Sequence, residues 1–206
     1  MTLSHEIILQ TLQELSEWME LEDCPPVSLV VCGGTALGLL GLHPRPTRDV
    51  DVLASFDEAE RKIIRIRTFD EKLQNCIRQV AENHSDLSGL GKDWINLAAG
   101  ELTQWNLPDG FIGRLKKISI GPRLTLYILG RQDLTALKLY AAADDDPRLR
   151  SRQQIHLDDL KILSPTREHL LAAIHWISSL PDCDKRQGSV KRILRILGHG
   201  NLTDHV

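Results

Sequence analysis

The run Val27-Ser28-Leu29-Val30-Val31-Cys32 is almost wholly apolar, rich in valine, and closed by Gly33-Gly34. Successive side chains of a strand point to opposite faces, so a short run that is apolar at nearly every position predicts a strand buried on both faces. Such a strand needs covering layers above and below, which constrains the chain to a mixed α/β core. Gly33-Gly34 ends the strand, Thr35 to Leu40 reads as one or two turns of helix, and Pro44 and Pro46 hold an extended connection. Asp49-Val50-Asp51-Val52-Leu53 then alternates polar and apolar residues, which predicts a second strand.

Around this pair the pattern is mostly helical. Upstream, Ile7, Ile8, Leu12, Leu15 and Trp18 recur at three- and four-residue steps, predicting an acidic amphipathic helix capped by Ser4 and stopped by Cys24-Pro25-Pro26. Downstream, Asp57 to about Asn83 is polar and reads as mostly helical, with Leu73, Ile77 and Val80 as its buried stripe. Ser85 to Pro108 is Gly-rich and carries no clear period. Lys117 to Ile120 and Leu124 to Leu129 read as two strands joined across Gly121-Pro122. Beyond Gly130 the helical segments follow one another: Leu134 to Ala143, His156 to Leu163, His169 to Leu180, and a last one to Leu197 with Gly198 placed as its C-cap glycine. The expected fold class is α+β, a mixed α/β core with a small sheet over residues 1–130 and a helical C-terminal region over 131–206 that completes the site.

The chain has 206 residues, 42% hydrophobic and 26% charged, the balance of an ordinary globular domain rather than a disordered one. Its formal net charge of −3 argues against coating nucleic acid by bulk electrostatics. Local basic faces are still available at Arg61, Lys62, Arg65 and Arg67, and at Lys185, Arg186, Lys191, Arg192 and Arg195. Cys24, Cys32, Cys76 and Cys183 form no Cys-x-x-Cys pair and have no His at a zinc-ligand interval, so they read as reduced, buried thiols. No apolar stretch approaches the roughly 20 residues of a membrane span, and Met1 to Glu22 does not read as a signal peptide, so a cytoplasmic protein without membrane contact is expected.

The chemistry concentrates where the two strands meet. Asp49 and Asp51 project from one strand face, where two close carboxylates repel each other. A divalent cation resolves that repulsion, and hard oxygen ligands suit Mg²⁺ or Mn²⁺. Gly33 and Gly34 allow a tight turn and close backbone approach to a ligand, the following amides face an anion, and Thr35 adds a hydroxyl to that cradle. Arg48 precedes the acid pair and joins Gly33, Gly34 and Thr35 as a nucleotide-binding candidate. Each piece alone has an ordinary explanation, a turn for Gly-Gly and a solvated strand edge bridged to Arg45 or Arg48 for Asp-x-Asp. No Gly-Lys-Ser/Thr follows the glycines and no Gly-x-Gly-x-x-Gly occurs here, so neither a P-loop nor a Rossmann fingerprint is present.

Gly33-Gly34-Thr35 followed by Arg48-Asp49-Val50-Asp51 resembles the DNA polymerase β-like nucleotidyltransferase superfamily. More narrowly, Asp133-Leu134-Thr135-Ala136-Leu137-Lys138-Leu139-Tyr140-Ala141 and His156-Leu157-Asp158-Asp159-Leu160 resemble motifs of the AbiEii-type nucleotidyltransferases of bacterial abortive-infection and toxin–antitoxin systems. The likeness spans roughly residues 27 to 165. It implies Asp49 and Asp51 as catalytic metal ligands and matches Lys138 and Asp159 to the family's catalytic lysine and second aspartate. A lysine there would offset charge on a triphosphate, and Lys138→Ala and Asp159→Ala would impair transfer with little change in stability. His156 departs from the family's first aspartate. Many superfamily members draw a third metal carboxylate from a later strand, but Leu124 to Leu129 holds no acid, which leaves Asp159 or Asp93 as substitutes. Trp94-Ile95-Asn96 echoes a Trp-Leu-Asn element of related sequences, most of which core packing by the tryptophan explains.

The resemblance thus implies a nucleotidyltransferase using Mg²⁺ or Mn²⁺, a nucleoside triphosphate, and an acceptor hydroxyl on an RNA such as the 3′ end of tRNA or on a partner protein. A cognate toxin or antitoxin is the implied partner. The alternative is a catalytically weak binding module acting as toxin or antitoxin by contact.

Overall fold

The computed structural model describes residues 5–42, 47, 49–88, 90–104 and 106–206, so the Ser4 cap and the Pro44 and Pro46 connection lie outside the described residues. In chain order the elements are α1 (His5–Leu21), β1 (Val27–Cys32), α2 (Gly33–Leu39), β2 (Val50–Asp57), β3 (Lys62–Ile64), α3 (Glu71–Ser88) and β4 (Ile95–Asn96). A 3-10 segment (Ala98–Gln104), α4 (Phe111–Arg114), β5 (Lys116–Ser119) and β6 (Leu124–Ile128) follow. The helical remainder comprises α5 (Arg131–Ala142), a 3-10 turn (Pro147–Leu149), α6 (Arg150–Leu163), α7 (Arg167–Ser178), α8 (Cys183–Ile196) and a closing 3-10 segment (Gly200–His205). The fold is α+β, as the sequence pattern predicts. Its contacts divide the chain into two compact units, Met1–Gln104 with Ile112–Leu129, and Trp105–Phe111 with Gly130–Val206.

The first unit is built on a mixed sheet of order β3-β2-β1-β6-β5, with β4 pairing on β2. The two most apolar runs occupy its centre. β1 pairs antiparallel with β2 and parallel with β6, and Val30, Val31, Leu126 and Ile128 are wholly buried. Gly121-Pro122 lies in the tight return between β5 and β6, closed by the Ile120 amide donating to the Leu124 carbonyl at 3.0 Å. α1 and α3 pack against each other, burying Ile8, Leu12, Leu15 and Met19 from one and Leu73, Ile77 and Val80 from the other. Burying a leucine or isoleucine side chain in this way contributes about 1.5–3 kcal/mol before the entropy of ordering it.

Three local expectations are revised. The helix predicted from Asp57 begins only at Glu71, because β2 runs on to Asp57 and turns back into β3, pairing Ser55 with Ile64 and Phe56 with Ile63. Two β-branched isoleucines favour the strand, and the turn is held by the Asp57 carboxylate accepting from the amides of Ala59 and Glu60, both at 3.0 Å. α1 ends at Leu21, ahead of Cys24-Pro25-Pro26, with Asp23 in the left-handed region at φ 47° and the Cys24 amide donating to the Met19 carbonyl at 2.8 Å. All four cysteines are free, but Cys183 is only half-buried. Cys24 and Cys76 lie 3.7 Å apart in the core, where burial, with its thiol neighbour, pushes the Cys76 thiol up to about 12. Among the described residues no helix is long and apolar enough to cross a membrane.

In the second unit α5 packs against α6, α7 and α8, and buries every residue from Asp133 to Leu139. Thr166 caps α7 by accepting from the His169 amide at 3.3 Å. Gly198 closes α8 at φ 80°, its amide donating to the Arg195 carbonyl and that of His199 to Leu194; this is the paired bonding that a left-handed glycine permits after a helix. The end of α5 is tied to α8 by a polar cluster. The Tyr140 hydroxyl and Arg186 Nε donate to Asp182 Oδ2 at 2.9 and 2.7 Å, and the Arg186 guanidinium lies 3.8 Å over the Tyr140 ring.

Burial alone would push the Asp182 carboxyl up, yet the bonds from Arg186 and Tyr140 hold it below the ordinary carboxylate range. A group whose folded pKa is depressed adds stability above its unfolded pKa and loses it as pH falls through the folded one. Urea midpoints should therefore fall on acidification below about pH 4. Asp182→Asn, weaker at neutral pH, should show a smaller fall, and parallel acid limbs for the two proteins would contradict this.

Candidate active site

The antiparallel register of β1 and β2 sets Cys32 opposite Asp51, so the residue after Cys32 lies against the Asp51 side chain. That residue is Gly33, in the left-handed region at φ 71°. A Cβ built on it would stand 2.0 Å from Asp51 Oδ2, so both the backbone angle and the available space require glycine. A Cβ on Gly34 would stand 3.0 Å from Thr47 Oγ1. The room left by the glycine pair is thus taken by the chain's own Asp51 and Thr47.

β2 starts at Val50, one residue later than the sequence predicts, and the alternation holds as far as Val52, beyond which Leu53 and Ala54 are both buried. Val50 and Val52 are buried at 1% and 0% exposure, while Asp49 and Asp51 are half-buried on the other face. Asp49 is fixed by two hydroxyls: Thr35 donates to its carbonyl at 2.8 Å, and Thr47 lies 3.2 Å from that carbonyl and 3.3 Å from Oδ1. Thr47 has one hydroxyl proton to serve both. Thr35, expected to face a phosphate, is 2% exposed and committed to the Asp49 backbone. Arg45 and Arg48 lie outside the described residues.

Asn96 comes to the same place from β4, which pairs parallel with β2 and sets Asn96 opposite Asp51. Its Nδ2 donates to Asp51 Oδ1 at 3.2 Å, while its Oδ1 accepts from the Ala98 amide at 3.0 Å, an arrangement that fixes which end of the amide faces the acid. Trp94 anchors the strand, 1% exposed, with Nε1 donating to the Ile77 carbonyl at 3.1 Å. The Trp94-Ile95-Asn96 element therefore combines a core anchor with a polar contact to Asp51. The sequence pattern singles out Trp94-Ile95-Asn96 but gives Asn96 no contact with the acids, and it assigns Thr47 no role.

Two carboxylates beside one amide suit a hard cation. Mg²⁺ commonly takes one or two protein carboxylates and completes its shell with water and substrate phosphate oxygens. Among the described residues no group of three or more His, Cys, Asp or Glu side chains gathers as a metal cage, and a cation shared with a triphosphate requires none. Asp93, one candidate for a third carboxylate, is exposed in the turn before β4.

In the second unit Lys138 of α5 and Asp159 of α6 form an ion pair at 2.6 Å, with side chains only 7% and 1% exposed. His156, one turn before Asp159, sets Nδ1 3.5 Å from the lysine Nζ. His156, where the sequence departs from the AbiEii-type motif it resembles, is thus half-buried against the same pair. Burial changes the expected cost of mutation: removing one partner of such a pair leaves an uncompensated charge and costs about 3–5 kcal/mol. Lys138→Met should lower the urea unfolding free energy by about that amount, and Lys138→Met with Asp159→Leu should recover most of it. Equal stability of wild type and single variant would show the pair to be solvated.

No curated protein and no solved structure matches the chain. One family profile matches residues 8–172, a span that includes Gly33, Asp49, Asp51, Asn96, Lys138 and Asp159. The chain belongs to that family, described as nucleotidyltransferase of unknown function (DUF6036).

Proposed function

We propose that the chain is a metal-dependent nucleotidyltransferase that moves a nucleoside monophosphate from a nucleoside triphosphate to a hydroxyl. The acceptor is an RNA end, such as the 3′ end of tRNA, or a protein side chain. Family membership supports nucleotidyl transfer. The observation that carries the metal-dependent reading is the packing of the Asp51 carboxylate on Gly33, beside an Asp49 anchored by Thr35 and Thr47. A toxin–antitoxin setting is supported by the likeness of the Lys138 and Asp159 segments to AbiEii-type motifs.

In this reading Asp49 and Asp51 would hold Mg²⁺ or Mn²⁺, which would supply neutralisation of the phosphate charge. The acceptor oxygen bonds to the α-phosphorus, the bond to the bridging oxygen breaks, pyrophosphate leaves, and the hydroxyl proton passes to water. The chain contributes preorganisation. Asn96 orients Asp51 by donating from Nδ2 to its Oδ1, Thr35 and Thr47 fix Asp49, and the Gly33-Gly34 turn brings backbone close to the acids. Lys138 and Asp159 lie in the second unit and neutralise each other.

Asp49→Asn and Asp51→Asn should each abolish transfer of label from nucleoside triphosphates to RNA or lysate protein. Removing one of two repelling carboxylates should leave the metal-free melting temperature unchanged or higher. A large fall in both variants would make these acids structural and overturn the metal assignment. Asn96→Ala should weaken Mn²⁺ binding, followed by calorimetry, by roughly 10-fold or more, the usual cost of losing a group that orients a ligand. Absence of Mn²⁺ and nucleotide binding by the wild type would favour the binding-module alternative.

A further inference from the structure

The outer edge of β2 is covered in two places, by β4 at Val50–Asp51 and by β3 at Ser55–Asp57. Between them the chain leaving β3 and the chain leaving β4 meet around Gly100. A Cβ there would lie 3.5 Å from the Leu53 carbonyl oxygen and 3.7 Å from that of Ile66. They enclose an open cleft of about 320 Å³ lined by Arg65, Ile66, Arg67, Leu97, Gly100 and Glu101. That volume is at the lower end of small-molecule sites, which run from about 300 to 1,000 Å³.

The charge in this cleft is unbalanced. Arg65 pairs with Glu101 at 3.1 Å, whereas Arg67 is exposed and has no carboxylate partner among the described residues. Arg61 and Lys62, both exposed, precede it on the same sheet edge. Guanidinium groups present planar forks that match phosphate oxygens, while Ile66 and Leu97 offer apolar wall to a sugar or base. Leu97 directly follows Asn96, whose amide holds Asp51, and Leu53 lies two residues along β2 from Asp51, about 7 Å of strand. The lining of the cleft thus adjoins, along β2 and β4, the residues that carry and contact Asp51.

We infer that this cleft is a second, metal-independent subsite for a phosphate ester, held chiefly by Arg67 with Arg65. Taken with the transfer reaction proposed above, on which its role rests, it holds a phosphate of a substrate whose reacting end lies at Asp49 and Asp51. Two sources share this chemistry: a phosphodiester of an oligonucleotide acceptor, or the phosphate of a free nucleotide.

The test uses the full chain with EDTA present and titrates three probes: a single-stranded oligoribonucleotide, adenosine 5′-monophosphate, and adenosine. Arg67→Glu should weaken one or both phosphate-bearing probes by about 10-fold and leave adenosine unchanged, while Arg67→Lys recovers part of the loss. A loss confined to the oligoribonucleotide assigns the phosphodiester source, with a shallower salt dependence in the variant. A loss for the monophosphate assigns the free nucleotide. Wild-type affinity for both phosphate probes in Arg67→Glu, or an equal loss for adenosine, overturns the subsite. Should Arg67→Glu unfold, Arg67→Gln carries the same expectation with a smaller change. The two proposals fail separately. If the wild type transfers no nucleotide but Arg67→Glu still loses phosphate binding, the cleft stands and the transfer function falls. If Asp49→Asn abolishes transfer while Arg67→Glu binds every probe normally, the cleft alone falls.

Discussion

The carboxylate of Asp51 occupies the space where Gly33 would carry a side chain, and much of the first unit is arranged around that contact. For the acid to lie there, β1 must end at Cys32 with its backbone turning through a left-handed residue, and β2 must pair with β1 in the register that sets Cys32 against Asp51. A one-residue slip of β2 would carry both acids to the buried face and Val50 and Val52 to the polar one. Register is thus guarded from two directions, by the burial of the valines and by the fit of a carboxylate against a glycine. Asn96 adds a third restraint from the opposite edge of β2.

The second unit handles charge differently. Where Asp49 and Asp51 are half-buried, Lys138 and Asp159 are almost wholly enclosed and paired. Buried pairs seldom add net stability over an apolar pair of the same shape, but they are intolerant of losing one member. Asp182, Arg186 and Tyr140 form a similar tie between the end of α5 and α8. α5 is therefore fastened by polar contacts on two of its sides within an otherwise apolar packing.

Much of this was legible in the residues. Val27–Cys32 is a central strand, as a run apolar on both faces predicts, and Gly198 ends α8 with the expected left-handed turn. α7 and α8 follow their apolar period because each buries one stripe, whereas α5 is buried almost all round and α6 begins at Arg150, ahead of the predicted His156. What escaped the pattern was short or non-local. β3 has three residues and a polar setting, and it is a strand only because Ser55 and Phe56 lie across from it. Asn96 matters through a contact with Asp51, which sequence spacing cannot bring near it, and Thr47 through its place beside Gly34 as well as the adjacent Asp49. The burial of Lys138 was equally invisible, since a lysine on a helix reads as a surface residue until its partner from α6 is seen.

The parallel pairing of β1 with β6 also has a bearing on how the chain is made. Val27 pairs with Leu124, and nearly all of the first unit's sequence lies between them. β2 follows β1 closely enough to pair with it early, bringing Gly33 beside Asp51 as soon as both are available. The other edge of β1 has no strand to take its N–H and C=O groups until β6 has been synthesised. Long-range parallel pairing is intrinsically slow, and an unpaired strand edge is sticky while it waits. A nascent chain of this kind would therefore carry its acidic corner assembled but its sheet half open, and its yield in the cell would depend on what shields that edge of β1 in the interval.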